Sequence, residues 1–469
     1  MPDQTSKEFE IASDELYALL QKKEPLLLLD LRLQDAYKEG HIKGSVHAVC
    51  DARSKETLMP KIPKNIKLVL IDNDETISAE TVNMMRSFGL DAYYLKGGVN
   101  NWNKELVKGS PPDTISPNHL YEKLHDPNVY LLDVRDPGEF SDFNIPGSVN
   151  IPLIDIFKPE NISKIPKGKE IITICPHGNM ATIATFALAR NSITSHILED
   201  GLAGWSQVLN AVNVEENPTV IQVEKIGKGC LSHIVISEGD AIVIDPLYPT
   251  EKYLEIAKQE GVKITHIIDT HQHADHVSAA QQLSNLTGSP MYESKLEMWD
   301  RPAHFLDDGQ EITFGNSKLR VIHTPGHTPG SLSYVVDEKY VFTGDILFIE
   351  SIGRPDLRDK AEEFAAQLYD SLHNKLLKLP SNTIVFPTHH GASVNSVNGI
   401  FSTTVAKAKE HEILHMSKEE FVKQVVDVSV PRPMNYQKII QINKGTEPLI
   451  LTDVPDLELG PNRCSIAEV

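Results

Sequence analysis

The first half of the chain contains a sequence repeat at a constant offset of 103 residues. Landmarks that keep their register along a whole segment indicate two copies of one structural unit. The matching landmarks, each given with its counterpart, are Asp30 and Asp133, Arg32 and Arg135, Gly44 and Gly147, Ser45 and Ser148, and Trp102 and Trp205. Each copy alternates short apolar runs with polar segments of helical character, which predicts two parallel α/β domains.

The landmarks resemble those of rhodanese domains over almost all of residues 10 to 210. The shared features are an Asp-Val-Arg strand end, a Gly-Ser segment and a Leu-x-Gly-Gly-x-x-x-Trp pattern. The resemblance implies a parallel α/β fold. It also implies a cysteine, at the start of a tight loop, that accepts sulfane sulfur and holds it as a persulfide.

In the second copy that cysteine is Cys175, which follows the apolar run 171–174 and begins the loop Cys-Pro-His-Gly-Asn-Met. A helical segment follows from Ala181. Such a loop directs backbone N–H groups and a helix N-terminus at the sulfur, which favours thiolate and persulfide over thiol. Cys175 is therefore the candidate nucleophile.

The equivalent position in the first copy is Asp72, so we expect this copy to be catalytically inactive. The second copy also departs from the common family loop. Met180 occupies a position often held by arginine, and Asn144 replaces the histidine that the first copy keeps as His41. The loss of arginine disfavours thiosulfate as the sulfur donor and favours a thiol persulfide.

The second half of the chain contains closely spaced metal-capable side chains. The run Thr-His-Gln-His-Ala-Asp-His follows the apolar segment 264–269, which places it on a loop after a buried strand. Further candidates also follow apolar runs, so strand ends would deliver the whole set to one edge. The set is His271, His273, Asp275, His276, His327, Asp345 and His389. Imidazole and carboxylate without thiolate suit zinc, iron or manganese.

This ordered set resembles the metallo-β-lactamase superfamily over roughly residues 221 to 408, which implies an αββα sandwich with a metal site at one edge. Glyoxalase II-like hydrolytic members use two metals. By that resemblance the first ion would bind His271, His273 and His327, the second would bind Asp275, His276 and His389, and Asp345 would bridge them. Persulfide dioxygenases use one iron held by two histidines and one aspartate.

The dioxygenase pattern maps onto His271, His327 and Asp345, a facial triad with open positions for substrate and dioxygen. In that case His273, Asp275, His276 and His389 would be hydrogen-bonding or water-organising neighbours of the ligands. The segment Gly-Arg-Pro-Asp after Asp345 resembles a persulfide dioxygenase segment, although a glyoxalase-type pattern also begins Gly-Arg. Arg354 would then bind an anionic substrate or pair with a carboxylate such as Asp356.

A sulfane-sulfur carrier fused to this metal domain favours a persulfide dioxygenase with a rhodanese half. The expected cofactor is Fe(II), one per chain. A low-molecular-weight thiol persulfide, such as glutathione persulfide, would react with O2 to give sulfite and thiol, and Cys175 would exchange sulfur with the same pool in a direction that stays open.

Two alternatives remain. One is a dinuclear glyoxalase II-like thioester hydrolase with two Zn(II) per chain. The other is a non-oxidative sulfur relay, in which Cys175 passes sulfur to a partner and the metal domain is structural or degenerate.

A length of 469 residues fits three domains. The expected borders are 1–110 for the inactive rhodanese-like domain and 111–215 for the rhodanese domain with Cys175. Residues 216–469 form the metallo-β-lactamase-fold domain with a C-terminal extension. We expect a homo-oligomer.

The net charge of −20 argues against nucleic acid or an anionic membrane as a partner. The cysteines, Cys50, Cys175, Cys230 and Cys464, have neither zinc-like spacing nor the density of a disulfide framework. The N-terminal residues lack the pattern of a signal peptide. These observations predict a reducing compartment, the cytoplasm.

Overall fold

The computed structural model describes residues 6–22, 26–48, 59–109, 113–355, 360–391, 394–427 and 431–465. The chain divides into two compact units, Met1–Trp205 and Ser206–Val469. The first unit contains both copies of the repeat, and the second contains the histidine-rich segments. The finer domain borders at 110/111 and 215/216 stay predictions. Among the described helices, none has the length and apolar character needed to cross a bilayer.

The first copy forms a five-stranded, all-parallel sheet in the order β1-β5-β4-β2-β3. Strand β2 is buried along its whole length. Its alternate leucines pack into two different clusters, which explains why a strand covered on both faces reads as a continuous apolar run. The strands are β1 Glu10–Ile11, β2 Leu26–Asp30, β3 Ser45–His47, β4 Lys67–Ile71 and β5 Asp91–Leu95, and the helices are Ser13–Lys22, Gln34–Glu39 and Thr76–Ser87.

The second copy repeats this topology in the all-parallel order β6-β10-β9-β7-β8. Each strand therefore occupies the place of its counterpart, and the predicted parallel α/β fold is confirmed for both copies. The strands are β6 Thr114–Ile115, β7 Val129–Asp133, β8 Val149–Asn150, β9 Glu170–Ile174 and β10 Ser195–Leu198. The helices are Pro117–Glu122, Pro137–Asp142, Pro159–Ile162, Asn179–Ala189 and Gly201–Trp205.

The second unit contains two mixed sheets, one of seven described strands in sequence order from β11 to β17 and one of six from β18 to β23. The first sheet comprises β11 Leu209–Glu216, β12 Thr219–Lys225, β13 Cys230–Ser237, β14 Asp240–Ile244, β15 Lys263–Ile268, β16 Met291–Ser294 and β17 His304–Leu306. The second comprises β18 Glu311–Phe314, β19 Ser317–His323, β20 Leu332–Val336, β21 Tyr340–Gly344, β22 Ile384–Pro387 and β23 Thr403–Thr404.

The two sheets pack face to face and carry helices on their outer faces. Ile242 of the first sheet and Phe342 of the second share one apolar cluster. Tyr253 packs on the outside of the first sheet, and Leu368 on the outside of the second. This order of layers is the αββα sandwich that the resemblance to the metallo-β-lactamase superfamily implied. The helices are Glu251–Glu260, Ala280–Thr287, Ala361–Asn374, Val405–Ala408, Lys418–Asp427, Tyr436–Lys444 and Val454–Leu457.

The C-terminal extension, which we define as residues 431–465, packs on this same unit. Ile439 and Ile442 of its longest helix are buried against Val277 and Tyr248. Val277 lies in the histidine-rich loop that follows β15, so the extension reaches the segment from which the sequence predicted metal ligands.

Candidate metal centre and sulfur-transfer loop

The predicted ligands follow four strand ends, as the sequence pattern indicated. The first four lie in the loop 269–278, here called the metal loop, directly after β15. His327 follows β19, Asp345 follows β21, and His389 follows β22. Each of these side chains is at most 1% exposed. The strand ends therefore bring the full set into the interior of one unit.

One group consists of His271, His327 and Asp345, whose ligand atoms all lie within 4.8 Å of one another. The Oδ2 atom of Asp345 is 3.6 Å from Nε2 of His271 and 3.5 Å from Nε2 of His327. None of these three atoms has a hydrogen-bond partner among the described residues. Buried polar atoms are normally hydrogen-bonded. Three potential ligand atoms that lack a partner and converge on one point therefore fit a metal ion.

Hydrogen bonds on the far side of each ligand fix its orientation. His271 Nδ1 lies 2.9 Å from the hydroxyl of Thr270, which itself donates to Asp245. His327 Nδ1 donates to the carbonyl oxygen of Arg354 at 2.8 Å. With the proton held on Nδ1, each histidine presents its Nε2 lone pair to the ion.

Burial lowers the pKa of His327 to about 4, which keeps this imidazole neutral and suited to ligation. Asp345 uses its other oxygen, Oδ1, within the protein. That atom accepts hydrogen bonds from the hydroxyl of Thr388 and, at 2.7 Å, from Nδ1 of His389. Only Oδ2 of Asp345 is left to meet an ion.

A second group consists of Asp275, His276 and His389 together with Cys230. His389 lies between two carboxylates, with Nδ1 2.7 Å from Asp345 and Nε2 2.9 Å from Asp275. Burial alone would lower the pKa of His389, but the charges of Asp275 and Asp345 outweigh it and hold that pKa well above its usual range. In this arrangement both nitrogens of His389 face protein carboxylates.

His273 is held by a carboxylate outside the first group. Its Nε2 atom lies 3.0 Å from Oδ1 of Asp245. Burial lowers the pKa of His273, but the hydrogen bond and the charge of Asp245 outweigh burial and raise it to about 9. The structure therefore brings His271, His327 and Asp345 together, and places His273 in a separate group with Asp245 and Asp269.

Arg354, the candidate substrate-binding residue, is 2% exposed. Its Nη1 atom donates to the carbonyl oxygens of Pro431 at 2.9 Å and Arg463 at 3.0 Å. The guanidinium thus holds the C-terminal extension, while the backbone carbonyl of the same residue holds His327. Asp356, the carboxylate weighed as its partner, lies outside the described residues.

Two cysteines lie beside the metal centre, although their positions in the sequence did not indicate this. Cys230 Sγ is 3.5 Å from Asp275 Oδ2, and Cys464 forms a close group with Asp345 and His389. Both are fully buried. Cys230 begins β13 and Cys464 lies near the end of the chain, so only the tertiary fold brings them to this point. Cys50 lies outside the described residues.

In the first unit, the sulfur of Cys175 lies where β9 meets the helix Asn179–Ala189. It accepts hydrogen bonds from the backbone N–H groups of Gly178 at 3.1 Å and Ala181 at 3.3 Å. Burial raises the pKa of the Cys175 thiol, and the amides of the loop oppose this shift without cancelling it. The predicted amide cradle is present and its N–H groups favour the thiolate, but burial has the larger effect on the pKa of the thiol.

Comparison with known proteins places both halves of the chain. Residues 227–389 match the model of the metallo-beta-lactamase superfamily, and residues 12–105 and 116–208 each match the rhodanese-like domain. A protein described as persulfide dioxygenase ETHE1, mitochondrial, from Bos taurus is 33% identical over 209 residues, which cover 44% of this chain and 78% of that protein. The chain belongs to the metallo-beta-lactamase superfamily. It carries two rhodanese-like domains before the superfamily domain.

The chain is also similar to a hydrolase and to a protein of solved structure. A protein described as cytoplasmic hydroxyacylglutathione hydrolase, from Arabidopsis thaliana, is 34% identical over 34% of this chain and 62% of its own length. The crystal structure of ETHE1 from Myxococcus xanthus is 27% identical and covers 51% of this chain and 99% of that one, with a TM-score of 0.43.

Proposed function

We propose that this protein is a non-haem iron persulfide dioxygenase with a sulfurtransferase domain. The observation that carries the proposal is the asymmetry of the metal centre. His271, His327 and Asp345 present three unpaired ligand atoms to one point, whereas Nε2 of His273 and both nitrogens of His389 lie beside protein carboxylates. Three ligands on one face are the pattern of single-iron oxygenases. The similarity to persulfide dioxygenase ETHE1 supports the same assignment.

The substrate would be a low-molecular-weight thiol persulfide, R–S–SH. Its terminal sulfur is oxidised by O2, with one water, to sulfite, two protons and the parent thiol R–SH. The sulfur–sulfur bond breaks, and the four electrons that sulfur loses reduce O2. Cys175 exchanges sulfane sulfur with the same thiol pool.

A ferrous ion, one per chain, would supply the electron transfer to O2 and Lewis acidity towards the sulfur anion. The residues of the chain hold and shield it. Thr270 and the Arg354 carbonyl keep the protons of His271 and His327 on Nδ1. Burial of all three ligands excludes bulk water from the reacting sulfur.

The test measures O2 uptake and sulfite release by metal-quantified full-length protein given glutathione persulfide. We expect one O2 consumed per sulfite at about one iron per chain. The variants His327→Asn and His273→Asn form a matched pair, because both replace a buried histidine of this centre. His327→Asn should lose the iron and the activity. His273→Asn, whose amide can still donate to Asp245, should retain one iron per chain.

The second candidate function is a dinuclear zinc thioester hydrolase. It is favoured by the second group, in which Asp275, His276 and His389 offer ligand atoms within 4.8 Å of one another. This function would be supported, and the dioxygenase rejected, by three results together. They are two zinc ions per chain, thioester cleavage without O2, and loss of metal in His273→Asn.

A further inference from the structure

The C-terminal extension provides hydrogen-bond partners for the backbone of the metal loop. Asn443, which is 1% exposed, donates from Nδ2 to the carbonyl oxygens of His273 and His276, each at 2.9 Å. Its Oδ1 accepts the backbone N–H of Ser278, also at 2.9 Å. One side-chain amide therefore satisfies three backbone groups of the metal loop.

Glu458 of the same extension holds the adjacent residue. Its Oε1 accepts the backbone N–H of Val277 at 2.8 Å, while Oε2 pairs with the buried ammonium of Lys225. The carbonyl oxygen of Glu458 accepts a hydrogen bond from Lys228 at 2.9 Å. Glu458 and Lys225 are both fully buried, so this carboxylate is held firmly in place.

These contacts matter because the metal loop has no helix or strand of its own. Buried backbone groups in such a loop need partners from elsewhere in the fold. The loop carries His271 of the triad and Asp275 and His276 of the second group. Its conformation therefore sets where their side chains point.

Asn443 is presented by a rigid element. It lies near the end of the helix Tyr436–Lys444, whose residues Ile439 and Ile442 are buried against Val277 and Tyr248. The match to the superfamily model ends at residue 389, so Asn443 and Glu458 lie outside the matched range.

We propose that Asn443 is a positioning residue of the metal centre, assisted by Glu458. It holds the backbone on both sides of Asp275 and so keeps the metal loop in the conformation that binds the ion. The inference applies to a one-iron or a two-zinc centre alike, and it stands whichever reaction the centre catalyses.

The test measures the affinity of the metal-free full-length protein for Co²⁺, by competition with a chromophoric chelator and by the visible absorption of bound Co²⁺. We expect Asn443→Ala to weaken binding by about 10- to 100-fold, as loss of groups that orient ligands does elsewhere. The absorption should also broaden. The control is Ile439→Val, which loosens the same helix but leaves the three hydrogen bonds of Asn443 in place.

Unchanged affinity in folded Asn443→Ala would overturn the proposal. Equal weakening in Ile439→Val would also overturn it, since helix stability alone would then explain the effect. If Asn443→Ala does not fold, Asn443→Asp decides the question. This variant keeps the oxygen that accepts the N–H of Ser278 but loses the N–H groups that donate to the carbonyls of His273 and His276. We therefore expect weakened Co²⁺ binding. Wild-type affinity would contradict the proposed role.

Discussion

The two rhodanese-like copies place different side chains in the same amide cradle. In the second copy, Gly178 and Ala181 donate their backbone N–H groups to the sulfur of Cys175. In the first copy, the residues at the same places, 103 earlier, donate to the carboxylate of Asp72. Glu75 N lies 2.7 Å from Oδ1 and Ser78 N lies 3.0 Å from Oδ2.

The first cradle is the more completely occupied of the two. Asp72 also accepts the N–H of Ile77 at 2.7 Å and the hydroxyl of Ser78 at 2.9 Å. The comparison teaches that the loop is built to hold negative charge whichever residue begins it. A carboxylate fills the first cradle with a permanent charge, whereas the second cradle surrounds a sulfur that we propose gains and loses sulfane sulfur.

Two hydrogen-bond arrangements outside the cradle are shared by both copies. Each copy has a salt bridge between an arginine and the aspartate two residues earlier. Arg32 pairs with Asp30 and Arg135 pairs with Asp133, each at 2.7 Å. In the first copy, His41 forms a hydrogen bond with the carbonyl oxygen of Tyr37, four residues earlier. In the second copy, Asn144 forms the equivalent bond with the carbonyl oxygen of Phe140. The replacement of histidine by asparagine therefore preserves a local hydrogen bond.

The largest expected effect separates the two copies by activity. Cys175→Ser removes the sulfur proposed to form the persulfide, so sulfur transfer should fall by about a thousandfold or more. Asp72→Ser should leave transfer unchanged. Transfer of sulfane sulfur from glutathione persulfide to cyanide measures both variants. A large loss in Asp72→Ser would contradict the assignment of the first copy as inactive.

Stability should show the reverse order. Asp72→Ala leaves three amides and a hydroxyl without their buried acceptor, and we expect a loss of about 3 kcal/mol. Cys175→Ala removes only a weak acceptor and should cost about 1 kcal/mol. Calorimetry of the full chain, following the transition of the rhodanese unit, gives the comparison. Equal shifts in both variants would show that the carboxylate is not the more firmly held of the two side chains.

Moving the thiol from the second cradle to the first should make the first copy accept sulfane sulfur. In a Cys175→Ser background, Asp72→Cys places a thiol in the first cradle, and we expect it to accept sulfane sulfur. Uptake should be at least about tenfold slower than at Cys175, because nearby carboxylates such as Glu75 repel a persulfide anion by about 1 kcal/mol or more. Peptide mass spectrometry detects the added sulfur. Its absence at residue 72 would mean that the amides alone do not support transfer.

The pH dependence of Cys175 follows from its burial. Burial raises the pKa of the Cys175 thiol, so the thiolate fraction increases with pH throughout the neutral range. Alkylation by iodoacetamide should therefore accelerate by about tenfold for each pH unit from 6 to 8. A rate that levels off below pH 7 would show that the amide cradle outweighs desolvation.

The smallest effect concerns the backbone of the loop. Gly178 has φ = +90°, a conformation that glycine adopts easily, and an added methyl group would come no nearer than 3.8 Å to Ile197. Gly178→Ala should therefore cost about 1 kcal/mol from backbone strain alone. Glu75 has φ = +76°, and its side chain accepts a hydrogen bond from the backbone N–H of Gly97. Glu75→Gly relieves the backbone strain but loses this hydrogen bond, so the free energy of unfolding should change little. Thermal unfolding compares the pair.

Local patterns were sufficient to predict much of the candidate site. His327, Asp345 and His389 each follow an apolar run, and each run is a strand, because burial on both faces requires continuous apolar sequence. The positions of their partners were not predictable in this way. Nothing in the residues around His273 indicates that Asp245 binds its Nε2, since the two lie on different segments of the chain.

By itself, the sequence determined the two parallel α/β copies and the order of the candidate ligands, through apolar periodicity and a repeat at a constant offset. The αββα layers were implied by the resemblance of the ligand motif to a known superfamily. Only the tertiary structure decided which donor atoms remain unpaired at the metal centre, and that Asn443 holds its loop. Hydrogen-bond partners are selected by distance in space, and residues far apart in the chain meet only after the sheets have packed.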